Sequence, residues 1–337
     1  MRILVTRTDR LGDVLLATPV LRHLKETRPG ARIHFLVRKE WMPVLAYGDA
    51  VTLMEFDPLE PADRLAERLR QAGFDEAYVL KDEAPVSKAV KKAGIPFRAG
   101  PYSTFRSFFL FNRGRLQRRS RCKMHEAEYN LDLVSPRMPA SGAAGLPRAW
   151  IETNPAAKAR ARAFLEKSGI LPGSFVAIHP GSSGSARYVK IERLHGLAEK
   201  WIARGVPVVV SGGALEGEVL EGFRRAVPGV SLLGPREELG LDGLAEVYRL
   251  SRGVVAHGTG PLHLAAAVDA PVFAIFPPLF VLSEKRWGPL VSKRFVWVPP
   301  VECPEKFRCR GPRCAVYDCM DRFEIDLASR KAEELFR

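Results

Sequence analysis

Short β-rich runs alternate with amphipathic helical stretches almost from end to end, and this alternation restricts the fold more than any other feature of the 337 residues. A strand, a helix and a second strand joined by short turns return to one sheet as a right-handed crossover, so the strands are parallel and helices cover both faces. "RILVTR" and "RIHFLVR" flank a helix expected over residues 12 to 28, whose apolar positions Val14, Leu15, Val20, Leu21 and Leu24 share a face. Pro19 lies inside it and should kink the helix or reset its start. "VTLMEF" and "EAYVL" are further strands, with "ADRLAERLRQAG" a helix between them, closed by Gly73. The expected class is α/β, a doubly wound parallel sheet.

The pattern loses definition in a basic segment after Ala84 and again at "SPRMPASGAAGLPRAW", where Pro, Gly, Ser and Ala dominate. A chain this long exceeds one ordinary core, so an interdomain linker is placed near residues 136 to 153. Alternation restarts with the helix "PAAKARARAFLEKSG". Strands "FVAIHPG", "PVVVSGG", "VSLLG", "GVVAHG" and "PVFAIFPP" follow, separated by helices starting near Ile191, Glu216, Leu241 and Gly260. Two doubly wound domains result, 1–150 and 151–320, and "EIDLASRKAEELF" supplies a last helix within 321–337.

A hydrophobic content of 46% with 27% charged residues is that of a soluble globular protein. No apolar run approaches the roughly 20 residues that span a bilayer. "MRILVTRTDR" has too short an apolar run, and a charge too soon after it, for a secretory signal, which points to the cytoplasm. Without such a signal the five cysteines read as reduced thiols. Cys303, Cys309, Cys314 and Cys319 fall within 17 residues but lack the paired C-x₂-C knuckles of zinc sites; no metal is expected and no chemistry is assigned to them. The net charge of +14 is unevenly placed, since Ala84 to His125 holds eleven Lys or Arg and no Asp or Glu. Aromatic residues interleave with the charges in "PYSTFRSFFLFNRGRLQRRSRCK". That composition fits a solvated basic loop, or a docking surface for an anion or an anionic membrane; nucleic acid is not the expected partner.

Ligands of doubly wound sheets bind beyond the carboxyl ends of the strands, where glycine-rich turns lead into helices. Such turns here are "HPGSSGSAR", "SGGALEGE", "LGPREELGLDG" and "HGTGPLHLAAA", all in the second domain. No G-x-G-x-x-G opens the first domain, which speaks against a dinucleotide dehydrogenase, and no G-x-x-x-x-G-K-[ST] is present, which speaks against a P-loop ATPase. In "HGTGPLHLAAAV" the glycines, Pro261 in a first helical turn and the free N–H groups there suit a phosphate; the same residues also suit a tight turn with a structurally bonded His263. "HPGSSGSARYVK" adds the hydroxyls of Ser182 and Ser183 and the cations Arg187 and Lys190, of which Arg187 could bind oxygens bidentately. Two such turns in one sheet favour a diphosphate. Glu216 stands where either a ribose-hydroxyl acceptor or a first-turn helix carboxylate belongs. In the first domain, "RTDRLGDVLLATP" puts Asp13 just past a glycine, as a helix-start carboxylate or a general base.

Taken together, "ILVTRTDRLGDVLLATPVLRHLKETRPGARI", "MHEAEYNLDLV", "AIHPGSS" with "RYVKIERLHGLAEKW", "VVVSGG" and "TGPLHLAAAVDAPVFAIFPP" resemble the ADP-heptose:lipopolysaccharide heptosyltransferases, glycosyltransferase family 9. The match runs in order over nearly the whole chain. It implies a GT-B fold: two Rossmann-like domains facing across a cleft, 1–150 binding the acceptor and 151–320 the nucleotide sugar, with the helix of 321–337 crossing back to pack on the N-terminal domain. It implies inverting, metal-independent transfer from a nucleotide sugar, ADP-linked, to an anionic glycolipid of the lipopolysaccharide core. That work is done by a cytoplasmic protein peripheral to the inner membrane, without a cofactor beyond the donor.

Carried over by position, Asp13 matches the family's general base, and Ser182, Ser183 and Arg187 its diphosphate loop, Arg187 standing in for the usual lysine. Glu216 matches an acidic residue near the ribose, Leu239 falls near the adenine contact, and Thr259, Gly260 and His263 match the T-G-P-x-H-L-A turn. Arg10, Arg113 and Arg115 are the expected acceptor contacts. One position departs: the aspartate that the family places before T-G-P, for donor-sugar hydroxyls, is Gly258 here, preceded by His257. Competing readings are another nucleotide sugar in O-antigen or capsule assembly, a sugar-nucleotide epimerase of the same fold, and a non-enzymatic nucleotide-binding protein.

Overall fold

The computed structural model describes residues 1–135, 145–182, 184–234 and 239–337. They divide into two units, Met1–Glu152 and Thr153–Arg337. In the first unit β1 (Arg2–Thr6), β2 (Arg32–Arg38), β3 (Thr52–Phe56), β4 (Glu76–Val79), β5 (Phe97–Pro101) and β6 (Arg113–Arg115) form one sheet in the order β3-β2-β1-β4-β5-β6. In the second, β7 (Val176–His179), β8 (Val208–Ser211), β9 (Ser231–Leu233), β10 (Gly253–His257), β11 (Val272–Ile275) and β12 (Arg294–Trp297) form another, ordered β12-β11-β10-β7-β8-β9. All pairings in both sheets are parallel. Each sheet grows outward from its first strand and then reverses, which leaves switch points between β1 and β4 and between β7 and β10.

The local chemistry explains most element ends. Pro19 divides the expected long helix into Leu11–Leu15 and Thr18–Thr27 and sits in the first turn of the second, where its missing N–H costs nothing. The helix Ala62–Ala72 stops at Gly73, whose φ of 66° is left-handed and suited to glycine. Strand interiors such as Ile3, Leu4 and Val5, or Val208 and Val210, are wholly buried, as parallel strands covered on both faces must be. The sequence pattern does not announce β5, β6 or β12. β6 is Arg-Gly-Arg, an edge strand recruited by backbone pairing of Gly114 opposite Gly100. A Cβ at Gly114 would lie 2.0 Å from the Tyr102 ring, so glycine lets that ring cross the strand.

The last helix, Ile325–Leu335, buries Ala328 and Ala332 in the core of the second unit, together with Phe323 and Trp201 and with Phe336 packed against them. Gly253 supports this seat, since a Cβ there would be 2.2 Å from the Phe336 ring, and Lys200 reaches Asp326 at 2.5 Å. By its packing the segment 321–337 belongs to the second unit.

Candidate active site

Beyond the carboxyl end of β1 the chain enters the helix Leu11–Leu15 through Arg7, Thr8, Asp9 and Arg10. Arg7, 2% exposed, is the hub of this turn. Its Nε donates to Asp9 Oδ1 at 2.8 Å, its Nη1 to Glu126 Oε1 and Asn130 Oδ1, both at 3.0 Å, and its Nη2 to Asp13 Oδ1. Glu126 and Asn130 come from the helix Glu126–Val134, whose start is fixed by a capping box between His125 and Glu128. Lys81, just past β4, bridges Asp9 Oδ2 and Glu83 Oε1 at 3.0 Å each, and Arg119 is a second cation on Glu126.

One guanidinium is thus shared among three carboxylates, and the consequences separate them. Burial pushes the Asp13 carboxyl up to about 6; Arg7 opposes this, and Asp9 and Glu126 add to it. Asp9 is also pushed up by burial, but Arg7 and Lys81 outweigh that and hold it below its usual range. Neighbouring carboxyls driven apart in this way are a recurrent property of acid–base sites. Asp13 is also the most accessible of the three, at 17% exposure against 9% for Asp9 and 0% for Glu126. The helix-cap reading does not describe its side chain: Arg10 occupies the cap position, no side chain caps the helix, and the Asp13 carboxylate turns to Arg7.

A cavity of about 530 Å³ adjoins Lys81 within the same unit, walled by Tyr102, Ser103, Gln117, Arg118, Arg119 and Arg121 among others. Its one acidic lining residue, Asp82, is already engaged by Arg106 at 3.1 Å and by Ser87 at 2.8 Å. The expected acceptor contacts are not among its lining. Arg115 is paired with Asp132 at 2.6 Å, Arg113 lies 6.0 Å over the Phe97 ring, and Arg10 is exposed at the head of its helix. The same basic segment leaves Phe105, Phe108, Phe109 and Leu116 exposed.

In the second unit the turn after β7 runs through Pro180, Gly181 and the exposed Ser182; Ser183 lies outside the described residues. His179 Nδ1 stands 3.1 Å from Ser211 Oγ, which is 2.8 Å from Tyr248 Oη. His179 Nε2 faces Glu216 Oε1 at 3.6 Å, and Glu216 Oε2 accepts the Gly213 N–H at 2.6 Å. Burial pushes Glu216 up, but His179 and that N–H outweigh it and hold the carboxyl below its usual range. The carboxylate overhangs the turn so closely that a Cβ at Gly181 would lie 1.4 Å from Oε1.

Beyond β10, Thr259 occupies the cap position of the helix Gly260–Ala267, with Pro261 in the first turn and His263 buried. N–H groups in such a first turn have no partner within the helix. His257, the last residue of β10, is buried beside Pro180 and Gly181, so the two turns adjoin; burial first, then His179, pushes its imidazole down to about 4. Arg187 is held by Asp321, with Nη2 at 2.9 and 2.8 Å from the two oxygens, and lies 3.7 Å over the Tyr317 ring. Leu239 is buried directly before the helix Gly240–Arg249 and its carbonyl accepts from Arg160 at 3.2 Å. Thr259, Gly260 and His263 therefore belong to the turn after β10 at the switch point, Glu216 reaches over the β7 turn from the turn after β8, and Arg187 is turned toward the C-terminal segment. Cys303, Cys309, Cys314 and Cys319 line a cavity of about 20 Å³ with Arg187 and Tyr317 and are all free thiols; among the described residues no His, Cys, Asp or Glu cluster forms a metal centre.

Sequence reasoning passed over Arg7, Asp9, Lys81, Glu126 and Asn130 in the first unit and His179, Ser211 and Tyr248 in the second. A signal for one pair existed, since Glu126 and Asn130 in "MHEAEYNLDLV" are four apart and share a helix face.

With this geometry in hand, comparison with known proteins gives one family. A protein of Haemophilus influenzae assigned as a glycosyltransferase is 27% identical over 89% of each chain. Lipooligosaccharide heptosyltransferase 2 of the same organism is 25% identical over 87% of each. The solved structure of E. coli ADP-heptose lps heptosyltransferase II matches in fold with a TM-score of 0.80 at 21% identity, covering 100% of this chain and 98% of that one. Its fold is GT-B, as expected for two sheets of this kind. The pattern of "Glycosyltransferase family 9 (heptosyltransferase)" matches residues 62–311, three quarters of the sequence, and the chain belongs to that family.

Proposed function

We propose that the protein transfers heptose from ADP-heptose to an anionic lipopolysaccharide-core acceptor in a single inverting displacement. The observation that carries this reading is the Asp13 carboxylate, buried, partly accessible and raised to about 6 by its surroundings. Such a group takes a proton from the attacking acceptor hydroxyl near neutral pH. As the bond to the anomeric carbon breaks, charge grows on the departing diphosphate. Ser182, Ser183 and the helix start at Thr259, Gly260 and His263 would meet it, joined by Arg187 once it exchanges Asp321 for the phosphates, in place of a metal or further cofactor. Glu216 would take the ribose hydroxyls and Leu239 the adenine. For the acceptor, the cavity beside Lys81 offers Arg118 and Arg121 to phosphate or carboxylate groups, with Arg10, Arg113 and Arg115 as outlying cations. Exposed Phe105, Phe108 and Phe109 amid those arginines suit peripheral contact with the anionic cytoplasmic face of the inner membrane.

A second donor is favoured by one observation. A Cβ at Gly258 would meet the Phe276 ring at 2.6 Å, so the ring fills space that a carboxylate for donor-sugar hydroxyls would need. A family 9 transfer of another nucleotide sugar, as in O-antigen or capsule assembly, needs no carboxylate at that position. Thermal shift against a panel of ADP-, UDP- and GDP-sugars separates the readings. A ligand of the folded state at a hundred times its Kd adds about 2.7 kcal/mol. Adenine donors should lead, and a larger shift with uridine or guanosine donors overturns the assignment of the base.

A further inference from the structure

We propose that His179, backed by Ser211 and Tyr248, is the positioning residue that presents Glu216 to a vicinal diol, and so sets the preference of this site for ribonucleotides over deoxyribonucleotides. The inference rests on the reading of Glu216 as a ribose contact, and goes beyond it by naming what holds that carboxylate in place.

The four side chains form a directed relay. Tyr248 and Ser211 are wholly buried and His179 nearly so. Burial keeps the Tyr248 phenol protonated, well above its ordinary value; its Oη lies 2.8 Å from Ser211 Oγ, where either hydroxyl can donate, and the relay uses the direction from Tyr248 to Ser211. Ser211 has one proton of its own. Two acceptors are within reach, His179 Nδ1 at 3.1 Å and the Ile178 carbonyl at 3.4 Å, and the shorter contact is to the imidazole. With Nδ1 turned to Ser211, the other ring nitrogen, Nε2, is left to face Glu216 Oε1 at 3.6 Å as the donor. Every donor then points toward Glu216.

The other carboxylate oxygen is fixed independently by the Gly213 N–H at 2.6 Å. With one oxygen on the backbone and the other before an imidazole N–H, the carboxylate has one orientation and stays ionised. Each oxygen still has a lone pair to spare, and two adjacent hydroxyls are the group that matches such a pair. The site is placed to receive them: Oε1 lies where a Cβ of Gly181 would be, at the carboxyl end of β7 and beside the switch point. His257, the other imidazole near His179, is neutral at physiological pH and does not compete as a cation for the carboxylate.

Titration calorimetry with ADP and 2′-deoxy-ADP tests this on the full chain. The wild type should favour ADP by about ten- to a hundredfold, the range of a hydrogen bond to a charged group. His179→Ala should bring that ratio close to one by weakening ADP, with 2′-deoxy-ADP affinity little changed. His179→Gln, whose amide N–H can replace Nε2–H, should recover most of the ratio, and Tyr248→Phe should lower it partway while keeping the packing. A ratio unchanged in His179→Ala, or equal weakening of both nucleotides, overturns the proposal. Should His179→Ala fail to fold, an unchanged ratio in Tyr248→Phe does so. Glu216→Gln separates the two layers: a ratio it leaves intact removes the ribose reading itself, whereas a ratio it abolishes but His179→Ala preserves removes only the role of His179.

Discussion

An aspartate three residues into a short helix is common, and its neighbours in sequence say little about its use. What distinguishes Asp13 is a guanidinium six residues earlier, whose charge is divided with Asp9 and Glu126. Glu126 and Asn130 lie 119 and 123 residues from Arg7, so the environment that raises the Asp13 carboxyl to about 6 is a product of the fold. Replacing Asp13 by Asn keeps the shape and removes the base. The expected result is a fall in kcat of about 10²- to 10⁴-fold, the usual worth of a general base, with donor Kd nearly unchanged by calorimetry. Wild-type activity should decline as pH drops through about 6, while the residual activity of the variant should lack that limb. Stability carries the opposite sign. The folded chain binds the Asp13 proton more tightly than the unfolded chain, whose value is near 3.8, so this group's contribution is complete below pH 3.8 and is lost as pH rises through about 6. Asp13→Asn should therefore gain on the wild type between those limits, seen as a difference in urea midpoints that grows with pH. From its own residues the role of Asp13 was readable only as one of two alternatives, because its local signal is shared by caps and bases; the family resemblance alone chose the base.

Among elements, most strands and helices with an apolar period were legible at their places; the helices Ala84–Lys92 and Glu126–Val134 were not, nor were three strands. β6 has no apolar residue, β5 is broken by Arg98, Gly100 and Pro101, and β12 lies at a sheet edge. A turn between two elements shows the same limit at Gly258. From sequence it marks a missing carboxylate; in the fold it also marks an occupied space, because Phe276 at the end of β11 lies against the turn after β10 and is 1% exposed. Gly258→Ala should cost about 1 to 3 kcal/mol by overpacking, and Gly258→Asp more. Phe276→Ala alone should cost about 3 to 5 kcal/mol as a cavity mutant. Combined with Gly258→Asp it should cost less than the sum, since each change relieves the other, by a coupling of order 1 kcal/mol in a denaturation cycle. Strict additivity would show that the ring does not hold that space.

At the scale of the whole chain, each unit closes its own core, and the last helix completes the second. Its destination was not legible, because an apolar stripe of Ala328 and Ala332 fits many partners and only Trp201, Gly253 and Phe336 select one. Charge is divided as unequally as the packing. The acid-free run from Ala84 to His125 lies in the first unit, and the fold sorts its cations: Arg119 is spent on Glu126 and Arg115 on Asp132, whereas Arg113, Arg118, Arg121 and Lys123 stay exposed, as do Phe105, Phe108 and Phe109 of the same run. The proposed membrane contact therefore makes a graded prediction that a uniformly solvated loop does not. Replacing Arg113, Arg118 and Arg121 together by Gln should weaken binding to vesicles containing anionic lipid by about 3 kcal/mol at low salt, near 1 kcal/mol for each charge close to the surface. Arg115→Gln should change it much less, since Asp132 already neutralises that charge. Phe105→Ser with Phe109→Ser should weaken binding to anionic vesicles at high salt as well, where screening removes the arginine contribution but leaves apolar burial. Co-sedimentation across a salt series reads all three variants. Equal losses from Arg115→Gln and from each exposed arginine, or no effect of the phenylalanines, would assign the segment to solvent.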